Sequence, residues 1–336
     1  MKTNKWFKIW SFSIFTLASL AFTLNLIVDP LSLTQHNILN IKKIVQAPRI
    51  SKLNELKKIN NLHNLILGSS RARRINPDLV TKLLGGKTYN ASMSTGLIED
   101  YLGYILFLQK NNKLPKNIIL ALDFYTLNNQ LPSDKHFLTS KELNFISNEQ
   151  QSWLDFLSLD MLNLSIQNLS KYQVVPSKTH ISNGFTLLDS KEKLIKKGTY
   201  NFKKRIEDDS FSYMKNKYSY NTYSKISEKR LSYLHKIIDI SKNNSINLYI
   251  FLTPVQSYHL QKINENTVLK NTLQTFKHVL AKETSYYDFM YNTQENANIY
   301  NFYDAVHYRD ELAKIITKKI LTNDLNNSYG IYVKKL

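Results

Sequence analysis

The chain contains no cysteine in its 336 residues. This absence excludes a disulfide framework, a thiol nucleophile and a cysteine-based metal site, and it is compatible with an exported domain without establishing export. The sequence also has no glycine-rich phosphate loop and no recognisable spacing of metal ligands. We therefore expect neither a metal nor any other cofactor.

Acidic residues are scarce relative to basic ones. The chain has 45 Lys and Arg residues against 26 Asp and Glu, a formal net charge of +19. The basic residues are spread along the chain, and no long cationic tract concentrates the electric field. We therefore favour solvated basic faces over a surface built to bind anionic lipid or an anionic polymer. Nucleic-acid binding would rest on charge alone, so we expect no nucleic-acid partner.

One long hydrophobic run is present near the N-terminus. Lys2, Lys5 and Lys8 precede Ile9 to Val28, a run of 20 residues without a charge. Such a run spans a bilayer core at about 1.5 Å per residue in a helix. The alternative is a cleaved signal peptide, whose apolar region would be about 7–15 residues long with a small-residue cleavage site after it. The run is longer than that and no Ala-x-Ala pattern follows, so we predict an uncleaved anchor.

The lysines before this run predict the topology. Basic residues are retained on the cytoplasmic side of a membrane helix. We therefore predict a single-pass protein of the cytoplasmic membrane, with its N-terminus inside and its main domain extracytoplasmic. Residues 29–60 are interpreted as a juxtamembrane connector that ends in a helix at about 51–60.

Short apolar runs alternate with amphipathic segments along much of the remaining chain. Strands are predicted at Asn64 to Leu67, Lys87 to Ala91, Asn117 to Leu122, Ile246 to Leu252 and Tyr286 to Phe289. Helices are predicted at 78–84, 97–109, 228–241, 268–282 and 310–322. Alternation of this kind implies an α/β fold with a mostly parallel sheet flanked by helices. We place this domain at residues 61–325.

The alternation breaks between about residues 128 and 225. This stretch is polar and rich in Lys, Ser, Asn and Tyr, with local helical patches such as Trp153 to Leu169. We interpret it as an insertion that covers the site, and not as a second domain with its own core. Residues 326–336 are interpreted as a C-terminal tail. No internal repeat and no long low-complexity tract is visible.

The first predicted strand ends in Gly68-Ser69-Ser70-Arg71. A serine on a tight turn at the carboxyl end of a first strand lies where open α/β sheets place their chemistry. Gly68 permits the turn, and the start of the following helix offers N–H groups to a developing oxyanion. Ser70 is the predicted nucleophile, while Ser69 is expected to shape the turn. Gly-Ser-Ser is also common in ordinary loops, so the motif alone is a weak signal.

A second motif, Asp304-Ala305-Val306-His307, precedes the last predicted helix. A serine hydroxyl needs a base within hydrogen-bond reach, and the base needs a partner that orients it. His307 is the candidate base and Asp304 its orienting carboxylate. An Asp three residues before a His is more often a helix N-cap beside a surface histidine. The position of both motifs at the two ends of one α/β domain nevertheless predicts a Ser70–His307–Asp304 triad.

With these two motifs the chain resembles the SGNH (GDSL-like) hydrolase superfamily. It resembles most the membrane-anchored branch that works with membrane-bound O-acyltransferases, which includes alginate O-acetylation proteins and the teichoic-acid D-alanylation protein. The family's Gly-Asp-Ser block corresponds to Gly68-Ser69-Ser70, and its Asp-x-x-His block to Asp304–His307. The resemblance covers most of residues 60–325 by order of elements. It implies a flavodoxin-like three-layer fold with Ser70 as nucleophile.

The middle blocks of that family match this sequence poorly. The second block supplies a glycine N–H to the oxyanion hole after strand two, where this chain has Asn90 and, near the glycine position, Ser92. The third block supplies an asparagine side chain after strand three, where Asp123 stands and Asn128 is the nearest asparagine. Losing one oxyanion donor typically costs about 10²–10³ in rate.

Two further residues near the predicted site have open interpretations. Arg71 follows the nucleophile and either binds an anionic group at the site or forms a surface salt bridge. His259 follows the fourth predicted strand and is expected to be an exposed loop histidine, with the cleft as the alternative location.

The resemblance implies a membrane-anchored, extracytoplasmic serine acyl-transfer protein, either an O-acetyltransferase or an esterase. Its acceptor would be a hydroxyl of a cell-envelope or secreted polysaccharide, and a membrane-bound O-acyltransferase would be a partner that supplies the acyl group. The alternative is a non-catalytic anchored module that binds glycan or scaffolds a partner. The poorly matched middle blocks favour that alternative.

Overall fold

The computed structural model describes residues 2–30, 38–39, 48–133, 153–170, 183–185, 189–215, 217–322 and 328–336. Parts of the predicted connector (31–37 and 40–47) and of the predicted insertion (134–152, 171–182, 186–188 and 216) lie outside the described residues. The chain forms two compact units. One comprises Met1–Glu55 and Asp134–Ser177, and the other comprises Leu56–Ser133 and Lys178–Leu336.

A six-stranded sheet organises the second unit, in the order β2-β1-β3-β4-β5-β6. The strands are β1 (Leu62–Leu67), β2 (Lys87–Asn90), β3 (Asn117–Leu122), β4 (Asn247–Leu252), β5 (Tyr286–Asp288) and β6 (Ile331–Val333). The first five are parallel, and β6 is antiparallel to β5. The order 2-1-3-4-5 is a doubly wound order whose topological switch point lies between β1 and β3. The predicted α/β fold with a mostly parallel sheet is confirmed.

Twelve α-helices occur in the part of the chain that the structure describes. They are α1 (Lys2–Val28), α2 (Pro48–Lys58), α3 (Pro77–Leu84), α4 (Ile98–Lys110), α5 (Leu159–Ser170), α6 (Asp189–Lys196), α7 (Phe202–Lys215), α8 (Glu228–Asn243), α9 (Ser257–Glu265), α10 (Thr267–Glu283), α11 (Gln294–Ala297) and α12 (Asp310–Thr322).

Helices cover the central strands β1 and β3, which are buried along nearly their whole length. All six residues of β3 are buried, as expected for a central parallel strand between two helical layers. One face of the sheet packs on α3 and α12. Its core residues include Ile66, Val80, Ile119, Phe251, Leu312 and Ile316. Elsewhere in this unit α4 packs against α8.

An asparagine ladder aligns the amino ends of the central strands. Asn117 donates from Nδ2 to Asn64 Oδ1 at 2.7 Å, and Asn247 donates to Asn117 Oδ1 at 2.9 Å. Asn64 in turn donates to Thr88 Oγ1 at 2.9 Å. Because these amides join β2, β1, β3 and β4 at one level, the ladder specifies the register. The carboxyl ends of the same strands therefore meet at the opposite edge, where the candidate site lies.

The structure adds two elements to those predicted. Helix α9 occupies the stretch that holds His259, where a loop was expected, and it buries Leu260 and Ile263. Strand β6 forms within the expected C-terminal tail, where the Tyr332 ring packs on Tyr287 with 5.1 Å between centroids. Both elements are short and depend on partners far away in sequence, so local periodicity does not reveal them.

The first unit contains α1, a 3₁₀ turn at Trp153–Leu157 and α5. From Lys5 to Val28, α1 is long and apolar enough to cross a membrane, with a mean hydropathy of 1.8. The 3₁₀ turn and α5 both pack on α1. The predicted helical patch at Trp153 to Leu169 is confirmed, and it belongs to the unit of the apolar helix.

Candidate active site

Three predicted residues form a continuous hydrogen-bonded chain in the second unit. Ser70 Oγ lies 2.8 Å from His307 Nε2, although 237 residues separate them in sequence. His307 Nδ1 lies 2.7 Å from Asp304 Oδ1. Ser70 is partly exposed, and the His307 side chain is 24% exposed. The arrangement therefore gives a hydroxyl, a base and an orienting carboxylate with access from solvent.

The turn that carries Ser70 is a 3₁₀ helix, Ser70–Arg74, which we call the serine turn. A Cβ at Gly68 would lie only 2.6 Å from the Ala72 Cβ and 2.9 Å from the Ala121 Cβ, so only glycine fits where β1 enters this turn. The buried Ser69 caps the turn by accepting a hydrogen bond from the Arg71 amide at 3.2 Å. Among the described residues the Ser70 amide finds no protein acceptor, which leaves it available to an oxyanion.

The loop that carries His307, residues 302–308, is folded around Asp304. Asp304 Oδ1 accepts the His307 amide at 2.9 Å and the Val306 amide at 3.2 Å, as well as the imidazole. Burial by itself would raise the pKa of Asp304. His307 and the cation of Lys191 oppose that effect and hold the pKa far below its ordinary value. Asp304 is therefore ionised and fixed in orientation.

Helix α6 of the predicted insertion contacts this histidine loop. Lys191 Nζ lies 3.3 Å from Asp304 Oδ2, the carboxylate oxygen that faces away from the imidazole. The next residue, Glu192, accepts the Tyr303 hydroxyl at 2.6 Å and pairs with Arg309 at 3.3 Å. Two neighbouring residues of α6, Lys191 and Glu192, thus contact the loop. No sequence signal identified Lys191 or Glu192.

Arg71 and Asp123 are both buried, which corrects the surface salt bridge considered for Arg71 and the oxyanion-site position considered for Asp123. Arg71 is 1% exposed, so it does not form a surface salt bridge. Its Nε lies 3.6 Å from Asp123 Oδ1, and its Nη1 donates to Thr253 Oγ1 at 3.3 Å. Thr253 donates to Asp123 Oδ1 at 2.6 Å. Asp123 is an acceptor in a buried cluster and does not supply the missing oxyanion donor.

Asn90 and Ser92 also have other partners. Asn90 donates from Nδ2 to the carbonyls of Ala72 and Ile75, at 3.0 and 2.9 Å, and so joins the end of β2 to the serine turn. Its Oδ1 accepts the Ser92 amide at 3.0 Å and the Ser92 hydroxyl at 2.5 Å. The amide expected to act as an oxyanion donor is therefore occupied. Asn128 does not fill the gap, since its side chain caps the Gln130 amide at 3.0 Å.

A further segment that contacts the serine turn lies two to four residues beyond Ser92. Ser94 Oγ accepts a hydrogen bond from Arg73 at 2.9 Å. A Cβ at Gly96 would lie 3.0 Å from the Gly68 carbonyl oxygen. Thr95, between them, has a φ of 52°, a costly conformation for a β-branched residue and one that is concentrated at functional sites. Sequence analysis missed this segment, and Gly96 was the one signal that could have identified it.

His259 is not an exposed loop histidine, which corrects the prediction. It is 0% exposed on α9, and its Nδ1 lies 3.0 Å from Ser210 Oγ. The Tyr220 ring stacks on it with 6.0 Å between centroids. Burial, together with the cations of Arg71 and Lys217, lowers the pKa of His259 to about 3. The described residues thus contain a second Ser–His hydrogen bond, and both of its side chains are fully buried.

The second unit also has a cleft beside the histidine loop, with a volume of about 490 Å³. Its lining includes three aromatic rings and one guanidinium: Tyr200, Phe202, Tyr300 and Arg309. Tyr200 donates its hydroxyl to the Tyr303 carbonyl at 2.5 Å, which ties the cleft wall to the loop. Among the described residues no group of three or more His, Asp or Glu side chains could hold a metal ion.

No protein-family model matches the chain, and no curated protein matches it. Any functional assignment therefore rests on the side-chain geometry of the second unit and on the apolar helix of the first.

Proposed function

We propose that this protein is a membrane-anchored serine acyl-transfer protein, an O-acetyltransferase or an esterase. The observation that carries the proposal is the chain of two hydrogen bonds, 2.8 Å from Ser70 to His307 and 2.7 Å from His307 to Asp304, at the carboxyl edge of a parallel sheet. Open α/β sheets bind substrates at that edge. The strand order and the two motifs also support membership in the SGNH superfamily.

In the proposed first step, Ser70 Oγ attacks the carbonyl carbon of an acyl donor. His307 Nε2 takes the hydroxyl proton, and the ionised Asp304 stabilises the imidazolium that forms. The Ser70 amide is placed to donate to the oxyanion of the tetrahedral intermediate. Collapse of that intermediate breaks the bond to the leaving group, which receives the proton from His307. The product is an acyl ester on Ser70.

The second step transfers the acyl group to an acceptor hydroxyl. His307 Nε2 removes the proton of the acceptor, the acceptor oxygen attacks the ester carbonyl, and Ser70 leaves with the proton returned by His307. With a sugar hydroxyl as acceptor the protein is a transferase, and with water it is an esterase. The same residues perform both reactions.

The acceptor and the partner are proposed from the resemblance to the anchored SGNH branch. We take the acceptor to be a hydroxyl of a cell-envelope or secreted polysaccharide, and the donor to be supplied by a membrane-bound O-acyltransferase. The aromatic cleft of about 490 Å³ beside the histidine loop suits a carbohydrate chain. The charge-free run of α1 suits an anchor, with Lys2, Lys5 and Lys8 on the cytoplasmic side and the α/β unit outside.

Burst kinetics with p-nitrophenyl acetate, paired with intact mass, test the nucleophile in the full chain in detergent. We expect a burst and one acetyl adduct on the wild type, and neither on Ser70→Ala, because loss of the nucleophile costs on the order of 10⁶ in rate. Ser210→Ala is the matched control and should keep both the burst and the adduct. Ser210 is hydrogen-bonded to His259, but both residues are buried and no carboxylate in the described part of the chain orients this histidine. A wild-type burst from Ser70→Ala would overturn the assignment.

The second candidate is a non-catalytic anchored module that binds glycan or scaffolds a partner. It is favoured by one specific observation: the amide of Ser92 is already bonded to Asn90, so the second oxyanion donor expected from the family is occupied. This candidate predicts a folded wild type that forms no acetyl adduct, with or without the acyltransferase partner. An adduct that depends on Ser70 excludes it.

A further inference from the structure

A polar residue inside the apolar run of α1 is fully covered by the 3₁₀ turn and α5. Asn25 is 0% exposed. Its Nδ2 donates to the Phe156 carbonyl at 2.7 Å, and its Oδ1 accepts the Ser165 hydroxyl at 2.7 Å. An amide facing hydrocarbon needs such partners, because an unsatisfied polar group is costly there. Residues 153–170 therefore pack on α1 at a level inside its apolar run.

The contacts along α1 give the depth of that packing. Asn25 lies three residues before Val28, about 4.5 Å along the helix axis from the end of the apolar run. Phe22, which packs edge-on against Phe156 with 5.9 Å between centroids, lies about 9 Å from the same end. Interfacial helices bury their apolar face about 5–10 Å into the boundary between headgroups and acyl chains. The contacts of Phe156 and Ser165 with α1 lie at about this distance from the end of the apolar run.

Helix α5 has three distinct faces. The face packed on α1 consists of Met161, Ser165 and Asn168, all buried. A second face is apolar and consists of Leu159, Leu162, Ile166 and Leu169, which recur at helical spacing. Leu159 is 80% exposed, Ile166 is 52% exposed, and Leu162 and Leu169 are partly exposed. The remaining face is polar, with Asp160, Asn163 and Gln167. The 3₁₀ turn adds Leu154 and Leu157, at 70% and 42% exposure.

We propose that α5 and the 3₁₀ turn are a second membrane contact, lying in the bilayer interface with the apolar face of α5 among the acyl chains. This rests on the proposed anchor. An exposed apolar helix face is unusual on a soluble surface, and here it packs on a helix that is long and apolar enough to cross a bilayer. The only charged residue of α5 is Asp160, so binding is driven by apolar area and needs no anionic lipid.

The absence of cysteine makes a direct test possible, since any introduced cysteine is a unique labelling site. The full chain is reconstituted in phosphatidylcholine vesicles that contain brominated phosphatidylcholine. An environment-sensitive fluorophore is attached to one of three variants: Ile166→Cys on the apolar face, Gln167→Cys on the adjacent polar face, and Leu17→Cys in the middle of α1. Bromine quenches only fluorophores within the acyl region.

We expect the label at position 166 to be quenched at least about threefold more than the label at 167, because only the apolar face reaches the acyl chains. Strong quenching at position 17 reports insertion of the anchor itself. Quenching at 17 with equally weak quenching at 166 and 167 would overturn the interfacial helix and leave the anchor intact. No quenching at 17 would overturn the anchor, and the interfacial helix with it.

Discussion

Two serine–histidine hydrogen bonds of nearly equal length occur among the described residues, and they differ in the partner of the histidine, in exposure and in the charges nearby. Ser70 lies 2.8 Å from His307, and Ser210 lies 3.0 Å from His259. The far nitrogen of His307 bonds to Asp304, whereas Nε2 of His259 has no partner among the described residues. His307 is 24% exposed and His259 is 0% exposed. Only the first pair is oriented and accessible.

The charges around the two histidines also differ. An ionised carboxylate faces His307, while His259 has the cations of Arg71 and Lys217 nearby and a pKa lowered to about 3. A proton transferred from Ser210 would therefore create a buried imidazolium among positive charges. The comparison teaches that the Ser–His distance does not define a catalytic pair. The orienting carboxylate and access to the nucleophile do.

The largest effect that tests this contrast is expected from Asp304→Asn. An amide can hold the imidazole in place but does not stabilise the imidazolium or select the correct tautomer, so we expect the acylation rate to fall about 10⁴-fold. The matched control is Asp208→Asn, an exposed aspartate paired with Lys204, which should leave the rate unchanged. Burst rates measure the effect, and a loss below about tenfold would contradict an orienting role for Asp304.

A smaller effect, on stability, is expected from His259→Asn. The folded pKa of about 3 lies below the ordinary value near 6.5, so between these pH values the unfolded chain binds a proton that the folded chain does not. Stability is therefore lost as the pH falls below about 6.5. Between pH 7 and pH 5 we expect the wild type to lose about 2 kcal/mol more than the variant.

Denaturant unfolding of the full chain, followed through tyrosine, measures that difference. All three tryptophans (Trp6, Trp10 and Trp153) lie outside the α/β unit, so tyrosine is its more direct reporter. His278→Asn removes an exposed histidine and should leave the pH dependence of the wild type unchanged. If the free energy of unfolding changed with pH in the same way in the wild type and in His259→Asn, His259 would titrate alike in the folded and unfolded chain, which would contradict the prediction.

The smallest effect is expected from Lys191→Met. Lys191 is 35% exposed, and partly exposed ion pairs contribute about 0–1 kcal/mol, so losing its contact with Asp304 should lower the acylation rate by no more than about fivefold. Added salt should also lower the wild-type acylation rate, because it screens the Lys191–Asp304 pair. A loss above about 100-fold would place Lys191 in the chemistry itself.

The strands and most helices could be predicted because they follow from local patterns. β3 begins and ends at the predicted residues, Asn117 and Leu122, since a central parallel strand reads as one continuous apolar run. α9 and β6 escaped prediction because each is short and stabilised by distant contacts. The second oxyanion donor was misplaced at Ser92 because sequence spacing cannot show that the Asn90 side chain already accepts its amide.

The sequence by itself determined the apolar N-terminal helix and the alternation of strands and helices. It also determined the two motifs near the ends of the α/β region, Gly68-Ser69-Ser70 and Asp304–His307. These depend on interactions between near neighbours, which leave a periodic pattern. Only the tertiary structure decided that Ser70 meets His307 across 237 residues, that Arg71 and His259 are buried, and that Lys191 contacts Asp304. Burial, partners and pKa values arise from packing between distant segments, and no local pattern records them.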